Sequence, residues 1–263
     1  MSTSYTLIKG TAPLLISMPH NGQAIPDDIA LTMTDSAKKV ADTDWYKDRL
    51  YDFAHALGAY ILIPKYNRYV IDLNREPHGE DLYPGQNSTE LCPTSAFDLT
   101  PLYLKGKEPN QQEIQRRIRL YWQPYHKAIQ STLAEIKANF GHAVLLEAHS
   151  ILSHVPRFFE GQLPDFNFGT NNNTSCASAL TEAIEQINYS PYSQVTNGRF
   201  KGGFITRNYG QPANNIHAIQ LELSQRTYMN EPSNEYNEAL AAQVKPKLKD
   251  LVNCLLNYSK ATN

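Results

Sequence analysis

The chain has 263 residues, 41% of them hydrophobic and 19% charged, which places it among globular proteins and excludes a disordered tail or a fibrous repeat. Its 24 basic and 26 acidic residues give a formal charge of −2 with no long block of either sign, so nothing marks a nucleic-acid partner. No run approaches the ~20 apolar residues of a membrane span, no basic-then-apolar leader opens the chain, and Cys92, Cys176 and Cys254 are too scattered for a disulfide framework; one cytoplasmic domain over 1–263 is expected.

The apolar run APLLIS, 12–17, enters the polar turn MPHNG as a buried strand enters a functional loop, which sets His20 at a strand end. From Asp42, the segment DTDWYKDRLYDFAHALG carries a cap, an apolar stripe at Tyr46, Leu50, Phe53, Ala54 and Leu57, and a terminal Gly58, predicting a helix. AYILIP and RYVIDL read as two short strands. Residues 76–110 are rich in Pro, Gly, Asn and Ser and predict an irregular excursion that shapes a pocket wall. Asn110 opens a helical pattern through Ile114, Ile118 and Trp122, kinked by Pro124 and ending near Gly141. AVLLEAHS follows as a core strand, then a second loop region over 150–173 and an amphipathic helix through Ala177, Leu180, Ile184 and Ile187. IHAIQLEL is a last strand, and Leu240, Val244, Leu248, Leu251 and Leu255 mark a final helix. This alternation predicts an α/β three-layer sandwich around a central mixed, mostly parallel sheet.

Titratable residues fall just after these strands, where open α/β sheets place ligands. A lone His20 is more simply a turn residue, but His149 ends a core strand on the same face as Glu147, and two histidines with one acid match an open catalytic zinc set. Asp44 and Asp48, four apart on the expected helix, or Glu147, could supply the acid. Glu147 could instead orient a ligand histidine from behind, and Asp48 could support the site in the same way. Arg68 and Arg75, beside Asn67 and Asn74, bracket one apolar run; surface ion pairing is the plain alternative, and the repeated Asn-Arg pair favours binding of carboxylates. Glu222 interrupts an apolar strand and needs a partner or a use if buried, which makes it the candidate general base. His217 faces the other side of that strand and reads as a core residue.

ISMPHNG, DTDWYKDRLYDFA, NRYVIDLNR, LYPGQNSTELCP, YWQPYH, EAHSILSHVPRFFEGQLPDFNFGT, FKGGFITRNYG and HAIQLELSQRTYMNE, taken in order, resemble the N-formylglutamate amidohydrolases, also called deformylases. The resemblance implies a metal-dependent hydrolase with a fold similar to zinc carboxypeptidases and aspartoacylases. It implies conversion of N-formyl-L-glutamate to L-glutamate and formate, the last step of one histidine-degradation route. It also implies that His20 and His149 are ligands of one divalent ion, taken as zinc, and that Glu222 is the acid/base. Carboxypeptidases pair the first histidine with a glutamate three residues on; here that position is Gln23, so Asp44 is assigned as the acidic ligand. A small-molecule substrate with two carboxylates then needs cationic partners, for which Arg68 and Arg75 lead, with Asn74, Arg207 and Lys201 assisting. The same chemistry on another N-acylated acidic amino acid, or a metal-free protein that binds acidic ligands, are the alternatives.

Overall fold

In the computed structural model, which describes residues 3–78 and 87–258, one mixed sheet holds seven strands. They are β1 (Tyr5–Ile8), β2 (Leu14–Ser17), β3 (Tyr60–Pro64), β4 (Ala143–Ile151), β5 (Phe166–Gly169), β6 (Gln194–Thr196) and β7 (Ile216–Ser224). Their spatial order is β1-β3-β2-β4-β7-β5-β6. The centre, β3-β2-β4-β7, is parallel, while β1 joins β3 and β5 joins β7 antiparallel. The expected mixed, mostly parallel sheet is therefore present.

Among the described residues seven α-helices flank it: α1 (Asp27–Ala30), α2 (Lys47–Leu50), α3 (Gln111–Arg117), α4 (Gln123–Phe140), α5 (Ser178–Glu185), α6 (Phe204–Tyr209) and α7 (Glu238–Tyr258). Strand alternation sends Ile16, Leu146, Ile219 and Leu221 to one face, where they pack with Leu180 and Ile184 of α5 and Val244, Leu248 and Leu251 of α7. Leu15, Leu145 and Ala218 go to the other face, with Ile129, Leu133 and Ile136 of α4. Covering both faces explains why the central strands are nearly continuous apolar runs. Among the described residues no helix is long and apolar enough to cross a membrane.

Two expected elements give way to tertiary hydrogen bonds. The helix expected from Asp42 to Gly58 is only α2 followed by a 3-10 turn, His55–Leu57, with Tyr46 in the left-handed region at φ 59°. Its first turn is taken by the His20 loop instead: Asp44 N–H donates to His20 O at 3.1 Å, and Lys47 N–H to Asn21 Oδ1 at 2.9 Å. The segment RYVIDL is a chain of turns rather than a strand, because Asn67 Oδ1 takes the Tyr69 N–H and Asp72 Oδ1 the Asn74 N–H, closing local turns. Its apolar side chains still join the α4 side of the core. The kink expected at Pro124 is a π-helical turn, Ile118–Trp122, just ahead of α4; proline has no N–H for the Leu120 carbonyl. Asn110 caps α3 by accepting the Glu113 N–H, and Gly141 closes α4 at φ 80°, both where expected. The excursion over 76–110 is irregular where it is described; residues 79–86, including part of LYPGQNSTELCP, lie outside the described residues.

Candidate metal centre and active-site cavity

The α4 face of the central strands changes character along its length. Leu15, Leu145 and Ala218 are apolar, but towards the carboxyl ends the same face carries Ser17 on β2, Glu147 and His149 on β4, and Gln220 and Glu222 on β7. The β4–β7 register sets Glu147 beside Gln220 and His149 beside Glu222. The opposite face stays apolar through Ala148, Leu221 and Leu223. Polar chemistry is thus confined to one face and one end of the sheet, as in other open α/β folds.

His20, Asp44 and His149 converge there, with one potential ligand atom from each within 4.8 Å of the others, all three buried. His149 Nδ1 lies 2.9 Å and His20 Nδ1 3.8 Å from the same oxygen, Asp44 Oδ2. The outer nitrogens are held from behind: His20 Nε2 by Asp72 Oδ1 at 2.7 Å, and His149 Nε2 by Glu147 Oε1 at 2.6 Å. Two imidazoles with Nδ1 turned inward, each backed by a carboxylate, and one carboxylate between them fit a divalent ion that takes nitrogen and oxygen ligands. Asp44 reaches this point because its backbone is tied to His20 O, not because it shares a helix face with Asp48. Asp48 is exposed on α2 and does not join the cluster.

Charge is distributed unevenly over the group. Burial, helped by the Arg68 guanidinium, holds His20 below the ordinary imidazole value against the pull of Asp72 and Asp44. Burial also opposes charge on His149, but Glu147 and Asp44 outweigh it and raise its pKa to about 10. Glu222 is pushed up to about 8 by burial, with Asp44 adding to the rise against His149, Arg68 and Lys47. Asp72 stays well below the ordinary carboxyl value despite burial, because His20, Arg68 and Arg75 favour its charged form. Lys47, fully buried, is brought down to about 8 by burial and donates Nζ–H to His149 O at 2.8 Å.

A second set of groups holds this arrangement. Asn74 Nδ2 lies 3.0 Å from His149 Nε2, and its Oδ1 accepts the Ile205 N–H at 2.9 Å. Glu147 Oε2 accepts from both the N–H and the hydroxyl of Thr206, and Gly203 N–H donates to Gln220 Oε1 at 2.7 Å. The opening amides of α6 are therefore satisfied by side chains of the site rather than by a local cap. Gly203 is required because a Cβ there would meet the Asn74 side chain at 2.1 Å. From the other side, Trp122 Nε1–H donates to Arg75 O at 3.0 Å and His126 Nε2–H to Leu73 O at 2.8 Å, gripping the backbone on both sides of Asn74. Trp122 closes the π-helical turn, a feature common near functional sites.

In front of the cluster opens a cavity of about 580 Å³, counted to its open mouth. Of the residues expected from sequence, His20, His149, Arg68, Asn74, Arg75 and Glu222 line it. Arg68 pairs with Asp72 at 2.7 Å and stacks on Phe97, while Arg75 Nε–H donates to Thr89 O at 2.9 Å. Arg207 instead donates from α6 to Gly202 O at 2.8 Å, and neither it nor Lys201 is a wall of this cavity. His217 packs its ring on Tyr258 and stands apart, as expected of a core residue. Sequence reading missed Asp72, Thr206 and Gln220 behind the site, and Arg199, Phe158 and Phe200 at its rim. Asp72 alone left a signal: it is an acid in an apolar run, the pattern that singled out Glu222.

Residues 12–229 match the family described as N-formylglutamate amidohydrolase. The chain is 46% identical over 255 residues to the N-formylglutamate deformylase of Pseudomonas aeruginosa, covering 96% of each chain. It is 45% identical over 253 residues to that of Pseudomonas putida, covering 95% of this chain and 94% of the relative. Its fold is similar to a crystal structure of N-formylglutamate amidohydrolase from Ralstonia eutropha, with a TM-score of 0.80 and 25% identity over 99% of this chain and 98% of that one. A gene product of Agrobacterium tumefaciens shares the fold at a TM-score of 0.75 and 15% identity, with 98% and 97% of the two chains covered.

Proposed function

Because the chain belongs to the N-formylglutamate amidohydrolase family, we propose that it hydrolyses N-formyl-L-glutamate to formate and L-glutamate with one divalent ion, taken as zinc, held by His20, Asp44 and His149. The observation that carries this reading is the convergence of three buried ligand groups on one point, with Asp72 and Glu147 behind the two imidazoles. An ion held there would supply Lewis acidity towards the formyl oxygen and a nearby water. Glu222, beside His149 in the strand register and on the cavity wall, would be ionised when a cation is bound nearby, take the proton of the attacking water and return it to the departing amine nitrogen. Asp72 and Glu147 fix the tautomers of the ligand histidines. Arg68 and Arg75 receive the substrate's carboxylates in the cavity. The reaction fits the closing step of a histidine-degradation route, as the family resemblance implies.

The test is formate release from N-formyl-L-glutamate by purified protein, with bound metal measured before and after a chelator. The expected result is turnover that is lost with the ion and restored by zinc. Metal without formate overturns the substrate, and formate that survives complete metal removal overturns the ion.

A further inference from the structure

Gln220 is a buried amide with two differently occupied ends. It is 3% exposed, lies on β7 two residues before Glu222, and lines the cavity with Glu222, Asn74 and Gly203. A backbone N–H can only donate, so the atom facing Gly203 N at 2.7 Å is the amide oxygen. That bond fixes the orientation of the group and leaves Nε2, with its two N–H donors, for the cavity. Among the described residues nothing accepts from Nε2, and it is not among the fully sealed polar atoms, while the residue lines the cavity. An oriented, desolvated pair of donors beside the reacting groups is built to receive an anionic oxygen, a bond stronger than one to a neutral acceptor.

We propose that Gln220 determines specificity by donating from Nε2 to the side-chain carboxylate of the substrate at the cavity floor; this rests on the hydrolysis proposed above. Position selects that carboxylate over the other. Two residues along a parallel strand span about 6.6 Å, so Gln220 meets a part of the substrate remote from the formyl carbon, beside which Glu222 moves protons. Of the two carboxylates, the side-chain one is the farther from that carbon. Arg75 lines the same cavity and shares the anion's charge, while the amide sets its direction.

The decisive variant is Gln220→Glu, which keeps an acceptor for the Gly203 N–H and replaces both donors with a negative oxygen. Steady-state kinetics on N-formyl-L-glutamate and N-formyl-L-glutamine are compared within one preparation, so that any loss of folded or ion-loaded enzyme cancels in the ratio. We expect KM for N-formyl-L-glutamate to rise about 10- to 100-fold and the kcat/KM preference for it over the glutamine substrate to fall by a similar factor. Where turnover of the amide is too slow to measure, competitive inhibition by L-glutamate and L-glutamine reads the same preference. Gln220→Met, which adds no charge, is expected to lower the preference less. A role confined to holding Gly203 predicts that both substrates change alike, and an unchanged preference in both variants overturns the proposal. Wild-type protein that releases no formate overturns the reading beneath it, whereas active wild type with an unchanged preference overturns Gln220 alone.

Discussion

His20 and His149 each turn Nδ1 towards Asp44 and give Nε2 to a buried carboxylate, yet the two carboxylates are balanced differently. Asp72 shares its charge with the Arg68 guanidinium, 2.7 Å away, so His20 sits in a field whose negative charge is already countered. Glu147 meets only neutral donors, the N–H and hydroxyl of Thr206, and its full charge falls on His149. The consequence is an imidazole held below its ordinary pKa on one side and one raised to about 10 on the other. Two ligand pairs of like geometry therefore differ in basicity because of what stands one bond further back.

Removing the two carboxylates sharpens that difference, and Asp72→Asn is expected to have the larger effect. It leaves Arg68 buried without its closest counter-ion, a change that costs about 3–5 kcal/mol of stability in comparable sites. Glu147→Gln leaves the Thr206 donors an amide oxygen and takes a carboxylate from His149, which keeps Asp44, so it is expected to cost less, about 1–3 kcal/mol. Both should weaken ion binding by roughly 10- to 100-fold. Chemical denaturation of the ion-free proteins, with a metal titration of each, measures the two quantities separately. Equal losses of stability would mean that Arg68 does not depend on Asp72.

The next expectation concerns pH. The folded, ion-free protein holds a proton on His149 up to about pH 10, whereas an unfolded imidazole releases it near 6.5. A raised folded pKa gives stability that is fully present below 6.5 and lost as pH rises towards 10, because the folded state binds more protons in that window. An entering ion must displace this proton, so its apparent affinity should climb with pH, by about tenfold per unit where His149 remains protonated. Metal titrations at several pH values between 6.5 and 9 check the slope. A flat profile would mean that His149 holds no proton over this range.

These relationships were only partly legible in the linear sequence. The apolar runs of β2, β4 and β7 and the stripes of α4, α5 and α7 stand out because burial on a regular period leaves a pattern that survives without the fold. His20, His149 and Glu222 follow from those strands, since strand ends place polar residues at one edge. The region around Asp44 was legible in composition but not in shape. An amphipathic stripe at 46–57 outlines a helix, and hydrogen bonds from the His20 loop override it. The short elements β1, β5, β6 and α6 lack the length for a period to register. Gln220, Thr206 and Arg199 gain their roles from chain segments folded against them, which no local pattern encodes.

The smallest expected effect reaches the site by a route that touches neither histidine. Trp122 donates to Arg75 O and His126 to Leu73 O, so the π-helical turn and α4 hold the backbone on both sides of Asn74, whose side chain lies against His149 and whose N–H donates to Asp72 behind His20. Trp122→Phe retains an aromatic ring over His126 and Phe204 while deleting the one N–H. Losing a single neutral hydrogen bond is worth about 1 kcal/mol, so stability should fall by about that much and kcat/KM by no more than about fivefold. If the loss is transmitted through Asn74, Asn74→Ala should remove most of the additional effect of Trp122→Phe, a non-additivity that a double-mutant cycle reads directly. Full additivity would mean that the tryptophan acts on Arg75 alone, and that the π-helical turn serves the substrate's carboxylates rather than the ligand histidine.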